Sequence, residues 1–332
     1  MQKLISVLCV ILLFTSVFMA MPIYAAENDY QDNLNSYAYQ DIDSGDWFYE
    51  AAVRAKELNI MTGMSQKNFE PDTLVTREMF LTALERMKIH NGISFSTFSA
   101  FSDIKEDKYY TKAVKWAEYN GITKGISASE FGIGLNVTRQ QIVTFIYRYL
   151  QDGYIKINLK PAQSPAAEFF DSPSEYAKEA VDYMRSTGII DGMGDGKFEP
   201  DAPATRAQIA AMLVRLYDAM RNADFEFNIS PNISKIEVVH QISDPLTGQI
   251  PKSRFITDSS EIADIINQIN STHITSGTDI EPADGWEYVA RFSDKQGKIV
   301  FGVMFTESYI KESNFRFETN AFERFITFIN NN

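Results

Sequence analysis

The sequence has 332 residues, of which 45% are hydrophobic and 23% charged. This length suggests about two or three domains, and the composition is ordinary for a folded chain. The formal net charge of −13 argues against non-specific nucleic-acid binding by the whole molecule, because such binding needs a basic surface. Three histidines and one cysteine cannot supply the roughly four ligands of a Cys/His zinc site. We expect no metal site and no cofactor, since the sequence also has no complete EF-hand loop and no nucleotide-binding glycine loop.

The N-terminus is typical of a secretory signal peptide. Lys3 is the only charge before an apolar run from Leu4 to Met21, and Pro22 ends that run shortly before Ala25. The alternative is an uncleaved membrane anchor, since such a run could just span a bilayer. We predict a signal peptide over residues 1–25, a polar linker over 26–38 and a secreted mature chain without a membrane span.

The next part of the chain repeats three times with nearly fixed spacing. Each copy opens with an aspartate, followed after 21 or 22 residues by a glycine, after 6 more by a phenylalanine and after 8 more by an arginine. Such spacing predicts three structural repeats, near 39–88, 101–150 and 169–218. The Pro/Ala-rich segment 160–168 is interpreted as a linker. The repeated residues are Asp41, Asp103 and Asp171; Gly63, Gly125 and Gly192; Phe69, Phe131 and Phe198; and Arg77, Arg139 and Arg206.

Each repeat is predicted to form a helix, a loop and a second helix. The first helix follows an aromatic residue and ends near Gly121 or Gly188 in the last two copies, because glycine permits the left-handed conformation that closes a helix. The second helix begins at a threonine. Thr138 and Thr205 are followed by glutamine at the third helical position, as in a capping box. The aromatic residues are Trp47, Tyr109 and Tyr176.

An arginine occupies the first position of the second helix in every repeat. The free backbone N–H groups and the positive end of the helix dipole favour an anion there, whereas arginine has the same sign as the dipole. One interpretation is that the guanidinium and the helix end converge on a carboxylate or phosphate. The other is an internal salt bridge to the aspartate that opens a repeat. The two are compatible where the aspartate only positions the arginine.

The repeat pattern resembles a surface-layer homology (SLH) repeat, and residues 39–218 resemble a triple SLH module. The resemblance implies a mainly helical module in which three repeats form one pseudo-threefold unit. It also implies attachment of an exported protein to the cell wall or surface layer of a bacterium, by binding a secondary cell-wall polysaccharide that often carries pyruvate ketals. In the first copy the residues that carry the resemblance are Asp41, Trp47, Gly63, Phe69-Glu-Pro-Asp and Thr76-Arg77-Glu78.

By this resemblance the glycan lies in grooves of the module. The arginines would pair with the pyruvyl carboxylate, the aromatic residues would pack against sugar faces, and the glycines would allow close approach. Simpler roles stay open: aromatic residues in the core, aspartates as caps or bridges, and glycines for turn geometry alone. The predicted polysaccharide-binding residues are Arg77, Arg139, Arg206, Trp47, Tyr109, Tyr176, Asp41, Asp103, Asp171, Gly63, Gly125 and Gly192.

The three copies are not identical. The first has Asn59 where the others have glycine before isoleucine, and the second has Gly132-Ile-Gly in place of the Glu-Pro-Asp that follows the phenylalanine. Every arginine is kept, so we expect binding to be preserved, but the three grooves need not be equivalent.

Residues 225–332 do not repeat and are predicted to form a small α+β domain, which makes the overall fold class α+β. Alternating apolar residues predict a strand near 233–242 and a turn over 243–248. Asp258 to Glu261 form a capping box ahead of an isoleucine stripe. A hairpin around 294–297, a strand at 315–317 and a final helix over 322–329 complete the prediction.

This C-terminal domain carries no recognisable catalytic motif. Its two histidines lie outside any such motif and are interpreted as ordinary histidines. Acidic residues near Trp286 are the best candidates for the carboxylate pair of a glycoside hydrolase. We expect a non-catalytic domain displayed to an unknown partner, and the alternative is a wall-associated hydrolase. The histidines are His240 and His273, and the acidic residues are Glu281, Asp284 and Glu287.

Overall fold

A computed structural model describes residues 39–87, 99–151, 155–240, 252–271, 273–276, 288–297, 299–305, 309–312 and 315–318. In these residues the fold is α+β, with seven α-helices and nine antiparallel strands. The chain divides into two compact units between Pro71 and Asp72. The predicted signal peptide, the 26–38 linker, the 243–248 turn, the acidic residues near Trp286 and the final helix lie outside the described residues.

The helices occur where the repeat pattern predicts them. In each repeat the first helix starts two residues after the aromatic residue, and the second starts at the arginine. A short 3₁₀ turn, Glu175–Ala177, precedes the first helix of the third repeat. The α-helices are α1 (Tyr49–Glu57), α2 (Arg77–Arg86), α3 (Thr111–Tyr119), α4 (Arg139–Gln151), α5 (Lys178–Ser186), α6 (Arg206–Met220) and α7 (Ser259–Ser271).

The first compact unit contains α1, which ends without glycine. Asn59 follows the helix with a φ of +55°, and Gly121 and Gly188 adopt φ of +71° and +75° at the corresponding positions. Asparagine tolerates this left-handed conformation better than most residues, because its short side chain can bond locally. The Asn59-Ile60 departure therefore preserves the helix ending seen in the other copies.

In the second compact unit the second helix of one repeat packs against the first helix of the next. α2 contacts α3, and α4 contacts α5. Thr205 forms the complete predicted capping box with Gln208. At Thr138 only half of the box forms: the side chain of Gln141 accepts the Thr138 N–H, while the Thr138 hydroxyl has no partner among the described residues.

Three loop segments of the second unit are joined by a closed ring of backbone hydrogen bonds. Val75 donates to Ala204, Ala204 to Val137 and Val137 to Val75, with N···O distances of 3.0, 3.3 and 2.9 Å. A second set joins the first residue of each second helix to another repeat: Arg77 donates to Leu135, Arg139 to Ala202 and Arg206 to Thr73, at 2.9, 3.0 and 3.0 Å. These bonds satisfy N–H groups that have no partner within their own helix.

A nine-stranded antiparallel sheet occupies the rest of the second unit, in the order β1-β2-β5-β9-β8-β7-β6-β3-β4. The four isoleucines of the predicted stripe on α7 are buried, and Asp258 accepts N–H bonds from Ser260 and Glu261 at its start. The predicted hairpin and the strand at 315–317 are confirmed. The strands are β1 (Ile155–Asn158), β2 (Asp224–Phe227), β3 (Lys235–His240), β4 (Lys252–Ile256), β5 (His273–Ser276), β6 (Tyr288–Ser293), β7 (Ile299–Phe305), β8 (Tyr309–Glu312) and β9 (Phe315–Glu318).

Strand β1 was not predicted, because it lies between the second and third repeats. It pairs with β2, which follows the third repeat, and Ile157 faces Phe225 in this register. Both side chains are buried. The sheet thus includes a strand contributed from within the repeat region. In the part of the chain that the structure describes, no helix is both long and apolar enough to cross a membrane.

We predict that Ile157→Ala lowers the free energy of unfolding by about 2–4 kcal/mol, because it leaves a cavity beside Phe225 on the buried face of the sheet. The matched control is Lys156→Ala on the same strand, where the side chain is only half-buried. Chemical denaturation of the full chain measures both. A loss below about 1 kcal/mol for Ile157→Ala would show that β1 contributes little to the sheet.

Candidate functional site

The three repeat arginines are buried side chains. Arg77, Arg139 and Arg206 are 3%, 4% and 4% exposed. Nε of Arg77 donates to the carbonyl of Phe131 at 3.0 Å, and Nε of Arg139 donates to the carbonyl of Phe198 at 2.6 Å. Each guanidinium also lies over the ring of that phenylalanine, at 4.8 and 5.0 Å. The arginine of one repeat therefore binds the loop of the next.

The aspartates that open the repeats bind the same loops from within their own repeat. Phe131 donates its N–H to Asp103 at 2.8 Å, and Phe198 donates to Asp171 at 2.7 Å. In the first unit Asp41 accepts from Phe69 at 2.7 Å. The aspartates thus cap the loops, as one of the simpler interpretations had it.

The alternative interpretation, a salt bridge between arginine and aspartate, is wrong for Arg77 and Arg139. In the described residues no carboxylate lies within 4.0 Å of either guanidinium. The aspartate holds the N–H of the phenylalanine, while the arginine holds its carbonyl. The backbone of one phenylalanine therefore separates the two charged groups.

Both guanidinium groups keep unused hydrogen-bonding capacity. Nη1 of Arg77 donates to Oε1 of Gln141 at 3.0 Å, but within the described residues Nη2 of Arg77 and both terminal nitrogens of Arg139 have no partner. Burial lowers the pKa of Arg77 and of Arg139, and more distant acidic groups only partly offset this effect. A buried charge without a paired counterion is costly, so these sites are suited to an anion.

The helix ends do not take part in such a site as expected. The first N–H of α2, α4 and α6 donates to a loop carbonyl of another repeat. In α4 the next N–H, that of Gln140, donates to the carbonyl of Pro200 at 2.9 Å. The interpretation that free helix N–H groups converge on an anion together with the arginine is therefore wrong for the first N–H of each of these helices and for the second N–H of α4.

The three predicted aromatic residues are exposed, so the alternative that they belong to the core is wrong. Trp47, Tyr109 and Tyr176 are 68%, 64% and 53% exposed. Edge contacts with Phe48 and Tyr110 orient the first two rings, with centroids 5.4 and 5.3 Å apart. Partial burial raises the pKa of Tyr176, which also interacts electrostatically with Asp201 and Arg77. The exposed ring of Tyr176 is thus close enough to the buried guanidinium of Arg77 for the two to interact electrostatically.

The repeat glycines allow close packing inside each loop. A Cβ at Gly125 would lie 2.4 Å from the Glu130 carbonyl oxygen and 2.6 Å from the Phe101 ring. The same holds for Gly63 against Tyr39 and for Gly192 against Phe169. These contacts support turn geometry as the role of the glycines. Sequence analysis missed the rings, although an aromatic residue two positions before each opening aspartate was the available signal. They are Tyr39, Phe101 and Phe169.

The second-repeat loop without proline is held differently from the third. Glu78, which follows Arg77, accepts the Gly134 N–H at 3.1 and 3.2 Å through its two carboxylate oxygens. Gln140, which follows Arg139, donates to Asp201 at 2.6 Å and accepts the Ser174 N–H at 2.9 Å. The residue after each arginine therefore matches the loop it faces: a carboxylate for a glycine N–H, and an amide for an aspartate.

Comparison with known protein families assigns the repeats. The model described as S-layer homology domain matches residues 38–78, 100–143 and 170–210. The chain carries three S-layer homology domains. Each match begins just before an opening aspartate and ends shortly after the repeat arginine. No family model matches the C-terminal region.

Several curated proteins are similar to parts of this chain. The chain is 27% identical over 233 residues to an endoglucanase of Bacillus sp. strain KSM-635, covering 68% of this chain and 23% of that protein. It is 28% identical over 162 residues to a cell surface protein of Thermoanaerobacter kivui, covering 48% and 21%. It is 27% identical over 199 residues to the surface-layer 125 kDa protein of Lysinibacillus sphaericus, covering 57% and 15%.

The chain thus spans less than a quarter of the length of each of these relatives. The three S-layer homology domains and the surface-protein relatives support a role in cell-wall anchoring. They identify a secreted protein associated with the cell wall.

The loop-capping aspartates make stability depend on pH. Burial alone would raise the pKa of Asp103, but N–H bonds from Ile133, Phe131 and Gly132 outweigh it and lower that pKa below its ordinary value. A lowered folded-state pKa adds stability above the unfolded pKa, near 4, and that stability is lost as pH falls through the folded value. We expect Asp103→Asn to cost about 1–2 kcal/mol at pH 7 and less at pH 3.

Urea unfolding of the wild type and Asp103→Asn at both pH values measures this difference. Asp107→Asn is the control, because this exposed aspartate of the same repeat makes no loop contact of this kind. Equal losses for Asp103→Asn at pH 7 and pH 3 would contradict a contribution from the ionised carboxylate.

Proposed function

We propose that the three S-layer homology domains anchor the protein non-covalently to an anionic secondary cell-wall polysaccharide, with a pyruvyl carboxylate as the recognised group. The observation that carries the proposal is the pair of buried guanidinium groups, Arg77 and Arg139, whose terminal nitrogens lack a counterion in the described structure. A ligand carboxylate would supply the missing charge and accept the unused N–H groups. Arg206 holds the equivalent sequence position.

The exposed aromatic residues suit the sugar part of such a ligand. Trp47, Tyr109 and Tyr176 present large apolar faces to solvent, where a pyranose ring could stack on them. In this proposal the opening aspartates act indirectly, by fixing the loops, and the repeat glycines bring the loop backbone close to the glycan. A neutral, stacked sugar and a paired carboxylate would together distinguish this glycan from an unsubstituted one.

We further propose that the three repeats form a pseudo-threefold module. The closed ring of hydrogen bonds through Val75, Val137 and Ala204 supports this arrangement, because each repeat contributes one equivalent loop residue. The three bonds from the arginine N–H groups also form a cycle, which runs in the opposite direction, from the first repeat to the second, from the second to the third and from the third to the first.

The C-terminal region is proposed to be a non-catalytic α+β domain, displayed at the wall to a partner still to be identified. Its sheet includes β1, which lies in the chain between the second and third repeats, so the displayed domain and the anchoring repeats are joined through this strand. The alternative is a wall-associated hydrolase, which the name of the endoglucanase relative favours. The candidate carboxylates for that activity lie outside the described residues.

The anchoring proposal is tested by sedimentation of the full chain with purified cell walls, before and after chemical removal of pyruvyl groups. We expect binding to be lost after removal, because the carboxylate that pairs with the arginines is gone. Unchanged binding to depyruvylated walls would exclude the pyruvyl carboxylate as the recognised group.

Exposed-ring variants provide a matched comparison in the same assay. We expect Tyr109→Ala and Tyr176→Ala each to weaken wall binding by about 3- to 10-fold, the loss typical of one aromatic contact. Phe255→Ala is the control, because this ring on β4 is also exposed but lies outside the repeats. An equal loss for Phe255→Ala would show that general hydrophobic adhesion, rather than stacking in the repeats, drives binding.

The hydrolase alternative makes a separate prediction. If the C-terminal domain is non-catalytic, replacing Glu281, Asp284 and Glu287 by the corresponding amides leaves the release of reducing sugars from purified walls at the level of a protein-free blank. Release by the wild type that disappears in this triple variant would establish the hydrolase instead, since carboxylate pairs carry glycoside hydrolysis.

A further inference from the structure

Arg77 and Arg139 share one structural role, which makes them a matched pair. Each starts a second helix, is almost fully buried, donates Nε to the loop phenylalanine of the next repeat and lies over that ring. Any difference in their free hydrogen-bonding groups therefore reflects a difference in what the two sites can bind.

At Arg77 part of the guanidinium is already occupied. Nη1 donates to Oε1 of Gln141 at 3.0 Å, and the same oxygen accepts the Thr138 N–H at 3.3 Å. Two-point binding of a carboxylate uses two parallel N–H groups of the guanidinium. Since Nε is bound to Phe131 and Nη1 to Gln141, a carboxylate at Arg77 must compete with an internal acceptor.

At Arg139 the corresponding glutamine is directed elsewhere. Oε1 of Gln208 accepts the Thr205 N–H at 3.1 Å, and its Nε2 lies 3.8 Å from the sulfur of Met193. No described residue accepts a hydrogen bond from Nη1 or Nη2 of Arg139. Neither nitrogen is among the fully enclosed polar atoms without a partner, which are Tyr39 Oη, Thr76 Oγ1, Thr138 Oγ1 and His240 Nε2.

The charged groups around Arg77 and Arg139 do not explain a difference in carboxylate binding. Arg77 interacts electrostatically with Tyr176, Glu78 and Asp103. Arg139 interacts with three carboxylates, of which Asp171 is bound to loop N–H groups and Asp191 is paired with Arg215 at 3.3 Å. The third carboxylate is that of Glu199. The sites therefore differ in hydrogen-bonding capacity rather than in net charge.

We infer that Arg139 is the stronger carboxylate site of the two, binding both oxygens of the ligand through its terminal nitrogens, and that Gln141 weakens the equivalent contact at Arg77. The inference rests on the proposed function and adds which of the two arginine sites selects the acidic sugar. Arg77, with the exposed Tyr176 ring in its electrostatic neighbourhood, contributes a weaker single-point contact.

Arginine-to-lysine variants test this in the full chain, because lysine keeps the charge but loses the planar fork. Arg77→Lys and Arg139→Lys are each made in an Arg206→Lys background, so that one native repeat arginine remains in each variant. The probe is methyl 4,6-O-(1-carboxyethylidene)-glucopyranoside, with its methyl ester as the uncharged control, and calorimetric titration gives the Kd. Thermal unfolding followed by circular dichroism verifies that each variant is folded.

We expect the variant that retains Arg139 to bind within about 3-fold of the Arg206→Lys parent, and the variant that retains Arg77 to bind at least about 10-fold more weakly, because only Arg139 offers two free terminal nitrogens. Adding Gln141→Ala to the second variant should restore part of the affinity. Gln208→Ala added to the same variant is the control, since it removes an equivalent helix-capping contact without freeing Arg77.

Equal Kd values for the two lysine variants, or no gain from Gln141→Ala, would overturn this inference and leave the proposed function intact. Equal binding of acid and ester by the wild type, or no binding of the acid, would overturn both. If one lysine variant fails to fold, the response of the otherwise wild-type chain to Gln141→Ala decides: the inference then requires tighter binding of the acid and no change for Gln208→Ala.

Discussion

The repeat region depends on one loop residue, the repeat phenylalanine, whose backbone is held from both sides. In the second and third repeats, the N–H of the loop phenylalanine binds the aspartate of its own repeat, and its carbonyl binds the arginine of the preceding one. The aspartate thus fixes a loop to its own repeat, and the arginine fixes that loop to its neighbour. Because Phe131 and Phe198 are also fully buried, backbone hydrogen bonding and core packing act on the same residue.

This arrangement explains why a structural arginine can also recognise a ligand. Holding the loop carbonyl uses only Nε, whereas burial lowers the pKa of the guanidinium as a whole. The terminal N–H groups of Arg139 therefore belong to a partly desolvated charge that the described residues leave without an acceptor. Folding fixes the geometry of these groups before any ligand arrives, so little side-chain freedom is lost on binding. Different nitrogen atoms of one arginine side chain consequently serve the stability of the loop and the recognition of the ligand.

The sequence was sufficient for the helices, for the hairpin and for the isoleucine face of α7, because these features follow from local spacing and periodicity. It was insufficient where the partner lies far along the chain. Nothing near Arg77 indicates that its Nε binds Phe131, or that the first N–H of its helix is already used. Strand β1 was missed for the same reason, since a four-residue strand is recognisable only through its pairing with β2. The aspartates were assigned to the ligand, whereas their contacts in the structure are with loop N–H groups.

The position of β1 has a consequence for how the C-terminal region is carried. β1 leaves the end of α4 and pairs with β2, which follows α6, so the third repeat is enclosed between two paired strands. The hydroxyl of Tyr119 on α3 donates to the Ile299 carbonyl on β7 at 2.5 Å, and Lys160 pairs with Asp224 at the end of β2. The second and third repeats are thus joined to the sheet by strand pairing and by side-chain contacts.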